Sequence, residues 1–381
     1  MFWQREVLRD SVSMSFNQTY TLDLPKTGLL GSLALYVSST QNGSPFLTAV
    51  KWRLIDYISK IEVIGDGAEV IKSYDGRQAL ASAFYDNGVV PDSMWRHYTN
   101  TSHRQVIPIN FGARLYDTAH ALDLSRFNQV TLKVTNDATS DEFTNDIKLT
   151  VVAYWLREPV GGVSGYYREE EVKLWIPTAG DTEYTEIPTA LKIRRILLRA
   201  RPAVDEEDAL NNSSMGDLMS DVEFTLRSGQ TRVYKGSLDL LGRLSVDELG
   251  FRAETMGMID RTEEYGFEVG IGYVEQFLSA PATYTASLSE YPVTIALADS
   301  QDSSQQIMGR TEDSPLIWHA RGYGYMHNVP LFYARSLDDS DALNPDLERV
   351  VNVNIACRTE ATVSGTAASA QNAIVLSRLV V

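Results

Sequence analysis

The sequence predicts an all-β protein built from two similar domains in tandem, and three observations carry that prediction. Period-2 alternation of apolar and polar residues dominates the readable segments, helical signal is scarce, and the two halves repeat the same motifs in the same order. In the first half, Val106-Ile107-Pro108-Ile109-Asn110-Phe111 leads through Ala121-Leu122-Asp123-Leu124 to the alternating run Val130 to Val134. In the second, Asn328-Val329-Pro330-Leu331-Phe332 leads through Ala342-Leu343-Asn344-Pro345 to Val351-Asn352-Val353-Asn354-Ile355. The matched prolines lie 330 − 108 = 222 residues apart.

A second matched pair lies upstream. The stretch from Ile61 to Ile71, with Gly65-Asp66-Gly67 at its centre, reads as two strands joined by a Gly-containing turn. Val222 to Tyr234, with Gly229 in the turn, reads the same way. Each is followed by a segment of helix formers, Arg77 to Tyr85 and Ser237 to Leu249. Repetition at this scale implies two β domains rather than a short-period solenoid.

The remaining elements follow from alternation, which marks strands with one face on a core and the other toward water. Phe16, Tyr20, Leu22 and Leu24 share one face; Leu33, Leu35 and Val37 share another; Ile147, Leu149, Val151, Ala153 and Trp155 form a third. The second half supplies Ile193 with Leu197, then Val222, Phe224 and Leu226, then Val293, Ile295 and Leu297. Ile374 to Val381 reads as a closing strand. Pro and Gly interrupt the pattern from Glu158 to Gly165, which places an N-terminal domain over residues 1–160 and a longer C-terminal domain over 161–381. The extra length falls in the acidic stretch from Asp205 to Ser214 and in the region from Arg252 to His319, whose strands the sequence does not resolve.

Composition narrows the function. With 381 residues, 44% hydrophobic, each half can bury its own core. A net charge of −16 disfavours wrapping nucleic acid, which needs clustered Lys and Arg to displace phosphate counterions. The first ten residues lack the apolar core of a signal peptide, and no run of about 18 apolar residues occurs, so a soluble chain made inside the cell is expected. Cys357, the sole cysteine, shares a strand face with Val351, Val353 and Ile355 and reads as a buried structural thiol.

Catalytic and metal spacing is not found. His97, His103, His120, His319 and His327 form neither His-x-His nor His-x-x-x-His, and no Gly-x-Ser-x-Gly elbow occurs. No catalytic residue, metal ligand or cofactor site is assigned, and the chain is not expected to be an enzyme. Glu169-Glu170-Glu171 reads as a solvated charge run. The basic stretch from Lys192 to Arg201 reads as an edge strand whose charges block aggregation or pair with the acidic loop beginning at Asp205. Tyr166, Tyr167, Trp175 and Tyr184 fit a carbohydrate platform or core and interface packing equally well.

Tandem sandwiches with a helix after an early hairpin and a Pro-aromatic strand entry resemble the double jelly-roll major capsid proteins of tailless icosahedral DNA viruses, the tectivirus and adenovirus lineage. Leu22 to Leu30, Ile61 to Gly76 and Ile107 to Val134 carry the resemblance. It implies two tandem eight-stranded jelly rolls with short helices and long loop insertions, and a homotrimer whose six rolls make a pseudo-hexameric capsomer tiling an icosahedral shell. The implied setting is the virion, after synthesis in the host cytoplasm. The implied partners are copies of itself, neighbouring capsomers, penton and minor capsid proteins and, where one is present, an internal membrane, without sequence-specific binding of nucleic acid. Phe2, Trp3, Arg5 and Arg9 are the candidates for contact with a membrane or a neighbouring subunit. The competing class is a secreted or surface two-sandwich protein that binds or acts on carbohydrate.

Overall fold

The structure is a computed structural model and describes residues 1–42, 53–94, 96–97, 102–202, 215–227, 229–259, 269–281, 293–296, 304–307, 316–332, 342–344, 353–360 and 370–381. In chain order the first half holds β1 (Phe2–Met14), β2 (Thr19–Asp23), β3 (Leu29–Thr40), β4 (Ile58–Gly65), β5 (Glu69–Tyr74), α1 (Gly76–Asn87), β6 (Ser93–Met94), β7 (Arg96–His97), β8 (Ser102–Asn110), β9 (Leu122–Asp123), β10 (Val130–Asn136) and β11 (Ile147–Arg157). The second half holds β12 (Tyr166–Trp175), β13 (Thr182–Ile187), β14 (Lys192–Arg201), α2 (Met215–Leu218), β15 (Asp221–Leu226), β16 (Thr231–Ser237), α3 (Leu238–Leu249), β17 (Ala253–Ile259), β18 (Ile271–Pro281), β19 (Val293–Ala296), β20 (Ser304–Ile307), β21 (Leu316–Tyr325), β22 (Asn328–Phe332), β23 (Val353–Arg358) and β24 (Gln371–Val380).

Strand order makes each half a jelly roll. In the first, β1-β11-β3-β8 forms one sheet and β2-β10-β4-β5 faces it; in the second, β12-β24-β14-β22 faces β13-β23-β15-β16. Position for position the two orders are the same. The repeated motifs of the sequence occupy equivalent strands: Pro108 lies opposite Ala34 in β3, and Pro330 lies opposite Leu197 in β14. Both prolines are tolerated because β22 is an edge strand and β8 is paired on its far side only at Arg104 and Gln105.

Local chemistry sets the hairpins and helices. Asp66 and Gly67, both left-handed at φ 49° and 75°, close the β4–β5 turn. Asp75 caps α1 in a reciprocal capping box with Gln78, and Gly88 ends the helix in the αL conformation. Ser237 and Gly250 do the same work for α3. The alternating residues of β11, from Ile147 to Trp155, are all buried as their spacing predicts, and Cys357 is buried beside Val353 and Ile355, where burial pushes its thiol up to about 12.

Two features were not legible in the sequence. First, the halves share one continuous eight-stranded sheet, because β5 of the first roll pairs in parallel with β12 of the second at Lys72–Glu169 and Ser73–Glu170. Second, the region from Arg252 to His319 supplies β17, β18 and the start of β21, which form a sheet joined in parallel by β7 from the first roll. The insertions after α1 and α3 therefore meet in one small sheet. The stretch from Asp205 to Ser214 lies outside the described residues, as do Val351 and Leu297.

Candidate assembly surfaces

The junction between the rolls is built from buried charge. Lys72 on β5 lies 3.1 Å from Glu169 on β12, whose other oxygen accepts from Arg195 on β14 at 2.8 Å. Arg195 also reaches Asp86 on α1 at 2.7 Å, and Arg194 shares that carboxylate at 2.8 Å. Ser82 of α1 donates to Glu169, Gln78 donates to Glu171 at 2.5 Å, and Arg199 pairs with the capping Asp75. Lys72, Glu169, Arg195 and Arg199 are each at most 2% exposed. Burial alone would push the Glu169 carboxyl up, but Lys72 and Arg195 outweigh it and hold it far below the usual range. Burial also draws Lys72 down, with Glu169 opposing.

Two sequence readings are corrected here. Glu169-Glu170-Glu171 is not a solvated run, because Glu169 is buried in this cluster, Glu170 pairs with Arg168 and Arg378, and Glu171 meets Gln78. The stretch from Lys192 to Arg201 is not an edge strand, because β14 lies between β24 and β22. Its period-2 pattern holds the missed signal: Ile196, Leu198 and Ala200 enter the second core while Arg195, Leu197 and Arg199 face the first roll. A strand buried on both faces needs partners for any charge it carries, and here Asp75 and Asp86 come from the other roll and Glu169 from β12 of the same sheet.

A stitched linker completes the junction. Ser164 and Tyr167 donate backbone N–H bonds to Ala119 and Phe111, and Ala121 donates to Gly165. That loop is held by Asp117, which accepts from the N–H groups of Ala113 and Ala119 at 2.8 Å and pairs with His120 Nδ1 at 2.9 Å. Burial opposes the Asp117 charge, yet these bonds keep its carboxyl below the ordinary range.

The four N-terminal candidates all lie on β1, the edge strand of the first sheet. Trp3 lies against Gly31 so closely that a Cβ there would fall 2.4 Å from the indole, and its ring meets Tyr116 edge-on at 5.4 Å. Arg5 donates to the Tyr116 hydroxyl at 2.8 Å and sits 5.7 Å from the Tyr154 ring centroid. Phe2 is 53% exposed, and Arg9 donates to the Leu8 carbonyl. The fold thus brings Trp3 and Arg5 into one aromatic cluster and leaves Phe2 and Arg9 outside it. Bulges after Val7 and Arg9 break the strand's regularity, a device that discourages indiscriminate edge pairing.

Of the aromatic set, Tyr166 and Tyr167 are 1% exposed, Trp175 packs against the second core and only Tyr184 stands in solvent, at 76%. His103 is buried and bonds to Gln41, while the side chain of His97 lies outside the described residues. Among the described residues no helix is long and apolar enough to cross a membrane, and no group of three metal-ligating side chains converges.

No protein-family model matches the chain, and no curated protein matches it. Solved structures do. The major capsid protein P2 of bacteriophage PM2 superposes with a TM-score of 0.51 at 8% identity, covering 100% of this chain and 98% of that one. The chain has the fold of viral major capsid proteins. The capsid of the virus PBCV-1 gives a TM-score of 0.51 at 10% identity over 99% and 93% of the two chains, and that of the Sulfolobus Turreted Icosahedral Virus gives 0.50 at 10% over 87% and 92%. At these identities the likeness is one of fold, and its coverage spans both rolls.

Proposed function

We propose that this chain is a major capsid protein, a structural subunit rather than an enzyme, that trimerises into pseudo-hexagonal capsomers tiling an icosahedral virus shell. The observation that carries the reading is the double jelly roll itself: one strand order used twice, with the rolls fused through β5 and β12, over the full length that matches capsid proteins. Three such chains supply six similar rolls, which suits a six-sided tile. The two rolls are taken as domains of residues 1–160 and 161–381. The subunit resides in the virion after synthesis in the host cytoplasm and meets neighbouring capsomers, penton and minor capsid proteins. Where a membrane lines the shell, the Phe2 end of β1 is its candidate contact. The carbohydrate-binding reading is not favoured, because Tyr166 and Tyr167 are buried and leave no four-ring platform.

Light scattering on a sizing column tests the reading. The expected native mass is three times 42.5 kDa, stable on dilution. A monomer at every concentration would count against it.

A further inference from the structure

The junction inside the chain is heterologous: it joins two different surfaces, and each surface has a counterpart elsewhere among the described residues that carries exposed apolar side chains. Its first side is α1 with β5; its second is the outer face of the β12-β24-β14-β22 sheet. The counterpart of the first side is α3 with β16, an edge strand, and that of the second is the outer face of the β1-β11-β3-β8 sheet, where β1 is also an edge.

The two rolls can be matched residue by residue from structural marks. Both helices end at an αL glycine thirteen positions after the cap, 88 − 75 = 13 and 250 − 237 = 13. Gln78 and Ser82, which touch β12, therefore correspond to Leu240 and Leu244. β12 and β1 each start opposite the last paired residue of their roll's closing strand, Val380 and Arg157, and each slips register after its sixth residue, Glu171 and Val7. β14 and β3 also share a slip, at Ile193/Arg195 and Leu30/Ser32. Glu169, Glu171 and Arg199 thus correspond to Arg5, Val7 and Tyr36.

The chemistry changes from polar to largely apolar at four of these five positions, Glu169 to Arg5 being the exception. The half-buried Glu171–Gln78 contact becomes Val7 with Leu240, which are 57% and 46% exposed; Tyr36 and Leu244 are 43% and 40% exposed. Apolar side chains in matched, uncovered positions are what an interface between copies requires, and polar ones suffice where the chain itself holds the rolls together. The edges match as well. The Ser73–Glu170 pairing of β5 with β12 corresponds to Lys235 of β16 beside Glu6 of β1, which are opposite charges.

We infer that α3 and β16 of one copy dock on the outer face of the β1-β11-β3-β8 sheet of the next, with Leu240 against Val7, Leu244 over the stem of Arg5 and Tyr36 beside Ser237 at the start of α3, and with β16 adding in parallel to β1. This rests on the capsid reading and identifies the surfaces through which its subunits meet. A head-to-tail contact that repeats the internal one closes into a ring of alternating first and second rolls.

The test uses the full chain. Leu240→Glu with Leu244→Glu alters two exposed side chains, so the fold, read by circular dichroism and thermal unfolding, stays as in the wild type. The expected native mass falls from the oligomer to 42.5 kDa. Independently, Val7→Cys with Leu240→Cys, treated with a short bis-maleimide, is expected to link neighbouring chains into covalent multimers on a denaturing gel, since the lone native thiol, Cys357, is buried. If the wild type is oligomeric but the double glutamate variant keeps its mass and the cysteine pair does not link, the inference is overturned and the capsid reading stands. A monomeric wild type overturns both.

Discussion

Glu169→Ala is expected to lower folding stability by about 3–5 kcal/mol, as breaking a buried ion cluster does when its partners are left in place. Lys72 and Arg195 would remain 0% and 1% exposed with their shared carboxylate gone, and Ser82 would lose the acceptor it now uses. Urea unfolding at neutral pH measures this directly, and an unchanged midpoint would show that the rolls do not depend on the cluster. The same carboxylate predicts a pH dependence. Its folded value is held at about 2, below the ordinary 4.5, so its contribution is fully present above about 4.5 and is lost as pH falls toward 2. Glu169→Gln, which cannot titrate, is expected to start less stable and to lose less stability than the wild type between pH 5 and pH 2 on the order of one carboxylate's linkage.

Gly165→Ala is the second large effect, at about 3 kcal/mol or more from backbone strain and overpacking together. Gly165 sits at φ +137°, and a Cβ there would fall 2.0 Å from the Val380 carbonyl oxygen, a backbone atom of the closing strand that cannot swing aside. Its own carbonyl accepts from Ala121, so a shift would also loosen the stitching between linker and loop. Gly161→Ala and Gly162→Ala are the controls. Both have positive φ, but a Cβ at either meets nothing within 4 Å, and each should cost only about 1–2 kcal/mol. Equal losses at all three positions would mean that the contact with Val380 does not matter.

The duplicated parts of the fold were the legible parts, and the reason is physical. A hairpin, its following helix and two alternating strands are specified by local chemistry: glycine at a left-handed turn, Asp or Ser at a cap, apolar residues every second position. Those signals stand at equivalent places in both rolls, from Asp66-Gly67 and Asp75 to Gly229 and Ser237. The shared sheet left no such mark, because the parallel contact of β5 with β12 spans about a hundred residues of sequence and is made by charged side chains. Charges normally signal solvent, so Glu169 and Arg195 read as surface when each was the other's reason for being buried. The N-terminal candidates share one strand, on which Trp3 and Arg5 meet Tyr116 and Tyr154, while the exposed Val7, Tyr36, Leu240 and Leu244 lie at positions that no short-range spacing connects.

Electron microscopy of the purified protein at rising concentration tests the central claim most directly. The account predicts class averages with six lobes and threefold symmetry, each pair of neighbouring lobes being the two rolls of one chain. Isolated two-lobed particles at every concentration would contradict it.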